Sequence, residues 1–169
     1  MFLKALLLAL LLVAPARALA AYEVGFYARE LGTRFPHAFF TVEGRPDAGG
    51  PAVDANYGFT AKSVTPAILM GPVKGVIESV TPAYRANSRR HFAVTVDDAG
   101  YARLMAVVER WRAKGPRSYD LNRANCVHFI GEAAIAAGLV ADFPGKLMKK
   151  PRSYLLHVLA LNPAVKPAS

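Results

Sequence analysis

With one cysteine among its 169 residues, the chain cannot form an internal disulfide. It is also poor in acids, holding 12 against 21 lysines and arginines, for a formal charge of +9. The cysteine and the four histidines show none of the paired spacings that zinc ligands take, so no metal is expected. No glycine-rich phosphate loop stands between a strand and a helix, and no cofactor is called for. The basic clusters Arg89-Arg90 and Lys149-Lys150-Pro151-Arg152 come without a zinc-finger, aromatic-stacking or recognition-helix pattern. They read as solvated faces suited to an anionic envelope surface or lipid, not as a nucleic-acid site. Nothing in the pattern speaks to oligomeric state.

After residue 20, Lys, Arg, Asp or Pro interrupts every stretch that might span a bilayer. The first twenty residues differ: Lys4 precedes an apolar run from Ala5 to Ala14, and Ala18-Leu19-Ala20 fits the small-x-small rule of signal peptidase. That run is far short of the roughly 20 residues a spanning helix needs. The expectation is a signal peptide over residues 1–20, cleaved to leave residues 21–169 as one periplasmic or secreted domain. In such an oxidising compartment a lone cysteine is buried and inert, bonded to another chain, or kept free for its chemistry.

The mature pattern begins with strand signals. Tyr22 to Thr33 reads as a strand or lead-in, and Ala38 to Val42 as a strand closed by the turn formers Glu43 to Pro51. Asn56 to Thr60 suits its antiparallel partner, Val64 to Val73 looks irregular, and Gly75 to Val80 and His91 to Val96 supply two more strands. Helical spacing follows at Tyr101, Leu104, Met105, Val108 and Trp111, with Asp97 or Asp98 to cap it and Gly115-Pro116 to stop it. A second helix is expected from Asn125 to Ala137, ended by Gly138. Tyr154 to Leu161 fits a final strand or helix, and Asn162 to Ser169 a frayed tail. The fold class is α+β, an antiparallel sheet packed against helices.

Cys126 falls in the first turn of the second helix, where unpaired N–H groups and the helix dipole favour a thiolate. The same position suits a small buried residue in an apolar stripe with Phe129, Ile130, Ala133 and Ala137, and both readings stand. A nucleophile needs a base. His128, two residues on, points to the other side of the helix. His37, opening a strand after Pro36, suits a base that reaches the sulfur across the sheet–helix interface. His91 ranks second because Arg89-Arg90 disfavours its protonation, and His157 ranks last.

The segments Pro36-His37-Ala38-Phe39-Phe40, Tyr57-Gly58-Phe59, Tyr119-Asp120-Leu121 and Asn125-Cys126-Val127-His128-Phe129-Ile130 resemble the circularly permuted papain-like proteins, the NlpC-type peptidases and the lecithin retinol acyltransferase relatives. The resemblance spans His37 to Gly138, with its specific matches around His37 and Cys126. It implies a His strand before the Cys helix, with Cys126 as nucleophile and His37 as its base. The polar residue that normally orients the histidine has no second histidine to fill it here. Asn56 is the nearest substitute, with Tyr57 or Thr60 as alternatives, and Tyr57 is also placed on the substrate side. Asn125 is either an oxyanion donor or simply an N-cap. The implied activity is a cysteine hydrolase or acyltransferase acting on cell-wall peptide or lipid, set against a binding or structural envelope protein on the same fold.

Overall fold

The computed structural model describes residues 21–30, 35–47 and 49–168, so the expected signal peptide lies outside the described residues. Five strands form one antiparallel sheet: β1 (Ala21–Arg29), β2 (His37–Arg45), β3 (Val53–Ala61), β4 (Gly75–Glu78) and β5 (Arg89–Val96). Their order is β4-β3-β2-β1-β5. Tyr22–Arg29 therefore pairs with β2 on one side and β5 on the other, and is a strand, not a lead-in. The β2–β3 ladder runs from Gly44–Val53 to Phe40–Tyr57 and stops there, and from Gly58 onward β3 pairs with β4 instead. A gap opens between the start of β2 and the end of β3.

Five helices accompany the sheet: α1 (Ala67–Met70), α2 (Pro82–Ala86), α3 (Asp98–Arg112), α4 (Cys126–Ala136) and α5 (Pro151–Leu161). The chain is thus α+β, with β2 preceding α4. Asp97 caps α3 by accepting from the Gly100 N–H, and Gly138 takes a φ of 88° just past α4. The α1 turn occupies the stretch expected to be irregular. Thr81 caps α2, which opens at Pro82 where no helix was expected, because five residues carry too few turns to show a periodicity. Pro151 opens α5 at a position where its missing N–H costs nothing.

Alternation along the strands gives the sheet two covered faces. Ala38, Phe40, Val42, Phe26, Phe59 and Phe92 join Trp111 of α3, Phe129 of α4 and Leu155 of α5 in the main core. Phe59 meets Trp111 edge-on at 4.6 Å, with Tyr119 and Phe129 close by. On the other face His37, Phe39, Thr41 and Tyr27 lie under α2. Tyr27 stacks on Phe39, Tyr84 meets Phe39 edge-on, and Arg85 pairs with Glu43 and Asp54. The tail is not frayed: Pro167 bridges to Phe92, and the Ala168 N–H donates to the His91 carbonyl at 2.8 Å.

Since Phe59 is fully buried among three aromatic rings, Phe59→Ala should lower stability by about 3–5 kcal/mol. A urea titration checks this, and the midpoint should fall with an unchanged slope.

Candidate active site

Position in the sequence places Cys126 at the start of α4; a buried asparagine holds it there. Asn125, 2 % exposed, accepts from the Val127 and His128 N–H groups through Oδ1. Its amide donates to the carbonyls of Leu121 at 2.8 Å and Met148 at 2.7 Å. Every polar atom of the side chain is occupied, so the capping role expected as one alternative is the one the structure gives it. His128 is the N3 partner of a capping box, its Nδ1 3.4 Å from the Asn125 nitrogen, and its ring stacks on Phe143.

The Cys126 side chain is 5 % exposed. Burial pushes its thiol up to about 11 from an ordinary 9.0, against the pull of the Ala38, Cys126 and Val127 backbone N–H groups on the sulfur. Two of these belong to the first turn of α4. The third follows His37, so the sulfur sits against the peptide that carries the histidine.

The His37 ring leaves β2 on the face away from α4. It lies over β3 at Gly58, where an added Cβ would come 2.5 Å from Nε2, and it stacks on Phe39 with Tyr84 edge-on. Both side chains line a single cleft of about 920 Å³. Burial pulls the His37 imidazole down to about 4 from 6.5. Near neutral pH the pair is thiol and imidazole, not thiolate and imidazolium.

The remaining expected residues separate. Asn56 does not reach His37: its Oδ1 accepts from the Val80 N–H at 2.6 Å and its amide donates to the Val80 carbonyl at 3.2 Å. Tyr57 points into the main core, its ring 5.4 Å from Phe40, and Thr60 lines the cleft. His91 lies on β5 away from the cleft, and His157 pairs with Asp142 at 2.6 Å. Among the described residues no three His, Cys, Asp or Glu side chains gather to hold a metal, and no helix is long and apolar enough to cross a membrane.

Tyr119 joins the cleft without having been assigned a role. Two backbone hydrogen bonds of 2.9 Å tie it to Val73. Burial first, then the nearby Cys126 sulfur, raises its phenol far above the usual range, so it remains a donor. Its signal in the sequence was the Tyr119-Asp120-Leu121 segment, which carries no chemistry until the fold brings it beside Cys126.

The shifts fix the sign of two pH effects. The unfolded chain protonates His37 near 6.5 and the folded chain only near 4, so the unfolded state binds more protons between these values. Stability from this group is complete above about pH 6.5 and falls as the pH drops toward 4, by up to about 3 kcal/mol at 1.36 kcal/mol per unit. His37→Gln should flatten urea midpoints across that window. The thiol acts oppositely, costing stability as the pH rises from 9.0 toward 11. Iodoacetamide should accordingly label folded Cys126 more slowly than the unfolded chain at pH 7 to 9. No family model matches this sequence, no curated protein is similar to it, and no solved structure matches its fold.

Proposed function

We propose that the protein is an exported cysteine-dependent hydrolase or acyltransferase of the permuted papain-like kind, acting on an amide or ester in cell-wall peptide or lipid. The observation that carries this reading is the sulfur of Cys126 at a helix N-terminus, with three backbone N–H groups aimed at it, in a cleft shared with His37. A cleft of about 920 Å³ has the size of a small-molecule or peptide site. Its walls combine apolar groups such as Phe35, Ile68 and Leu121 with Lys62, Glu78 and Lys149.

In the reaction His37 takes the thiol proton while the sulfur bonds to the carbonyl carbon, and the carbonyl π electrons move to oxygen. The N–H groups of the first turn and the Tyr119 hydroxyl face the developing oxyanion. Collapse expels the amine or alcohol, which takes the proton from His37 and leaves a thioester on Cys126. Water or an acceptor alcohol or amine, deprotonated by His37, then attacks the thioester and releases the thiol. Burial holds the thiol protonated and the imidazole neutral, so the ion pair is disfavoured in the empty cleft. Proton transfer must therefore accompany bond formation instead of preceding it, with the substrate's own charge development supplying the compensation.

A second reading is favoured by the buried, protonated thiol and by the engagement of Asn56 with Val80: a non-catalytic envelope protein that uses the same cleft for binding. Intact mass spectrometry after incubation with p-nitrophenyl butyrate separates the two. The enzyme reading expects a butyryl adduct that is absent from Cys126→Ala and forms at least about a hundredfold more slowly in His37→Gln. An absent adduct, or one indifferent to His37, leaves the binding reading standing.

A further inference from the structure

A second concave site lies at the β1–β5 end of the sheet. Phe26 faces Phe92 and Tyr27 faces Arg90, which leaves His91 as the extra residue of a β-bulge. A bulge re-aims the side chain it carries. Here the His91 ring is 6 % exposed and lines a cavity of about 230 Å³ with Arg89 of β5, Arg152 of the first turn of α5, and Glu30. Among the described residues no hydrogen-bond partner reaches its ring nitrogens, while its carbonyl is used by the Ala168 N–H.

The surrounding charges are unbalanced. Arg29 also borders the cavity, but its guanidinium is held 4.4 Å over the Tyr84 ring. Arg152 has a loose contact with Glu30, 3.4 Å, and that carboxylate side chain is 62 % exposed. Arg89 has no carboxylate partner among the described residues. Burial first, then Arg89 and Arg152, lowers the His91 pKa, with Glu30 opposing them. Two guanidinium groups and an imidazole thus face one cavity whose single carboxylate, Glu30, is largely exposed, and an entering anion would balance that excess of positive charge.

We propose that the cavity framed by Arg89, His91 and Arg152 is a binding site for a phosphate group, carried by a free phosphate or by a lipid headgroup. Guanidinium forks match phosphate oxygens with paired donors, and the imidazole supplies a further donor from the floor. The volume exceeds by several times the roughly 30 Å³ that a water occupies, which leaves room for a phosphate and its first ester atoms. Glu30 is the gate: the entering anion takes its place on Arg152, and the exposed carboxylate swings into solvent. The site does not depend on the chemistry of Cys126.

Thermal unfolding of the protein tests this with inorganic phosphate against sodium chloride at equal ionic strength. Phosphate should raise the midpoint beyond chloride. Arg89→Ala and Arg152→Ala should each weaken that response about tenfold in apparent Kd, as expected for loss of a charge-assisted hydrogen bond. Glu30→Gln should strengthen it severalfold, an opposite sign that a merely damaged fold cannot produce. Flotation with phosphatidic acid vesicles, against phosphatidylcholine vesicles, separates the sources. A response to phosphate alone assigns the free anion, and a response to vesicles alone assigns the headgroup. Equal midpoints in phosphate and chloride together with no selective flotation overturn the proposal, as does an unchanged response in the arginine variants.

Discussion

Asn125 is the constraint on which the candidate site depends. One buried amide joins the turn before α4, the first turn of α4 and the segment that leads into α5. Remove it, and the Leu121 and Met148 carbonyls lose a buried donor while two helix N–H groups lose their acceptor. The sulfur then loses its register against the Ala38 N–H, since among the described residues no other side chain at that end hydrogen-bonds both neighbouring segments. The placement of Cys126 is thus a property of a cap.

Much of the sheet and helices α3 and α4 were legible in the sequence because their signals are local. Ala38 to Val42 alternates between two covered faces, and Leu104, Val108 and Trp111 recur at helical spacing. Asp97 and Gly138 mark ends that hydrogen-bonding and backbone geometry make hard to place elsewhere. What escaped detection was non-local. Tyr22 to Arg29 becomes an interior strand only because β5 returns beside it after sixty residues. Tyr154 to Leu161 is apolar enough for either a strand or a helix, and Pro151 decides it only once the 3-10 turn Gly145–Leu147 is known to end ahead of it.

The site divides in the same way. Cys126 and its helical position follow from the residues around it, and His37 from its place at a strand start. The side of the sheet from which His37 approaches does not, because it turns on where the β2–β3 ladder ends. Asn56 looked like an orienting residue by proximity in sequence, yet its amide complements a single peptide at Val80 on both its donor and its acceptor side. Tyr119 reaches the sulfur through a two-bond bridge to Val73, a contact between segments 46 residues apart that no spacing rule signals.

The tail that anneals to β5 has a counterpart at the opposite border of the sheet. Tyr119 bridges to Val73 just ahead of β4, and the Ser118 hydroxyl accepts from the Gly75 N–H at 3.1 Å. Both outer strands thus have part of their unpaired backbone groups occupied by chain from elsewhere in the molecule. This is a form of insulation against self-association: a sheet whose borders are already occupied offers a second copy few places to add a strand. The protection at β5 rests on Pro167 and Ala168, which bridge to Phe92 and His91.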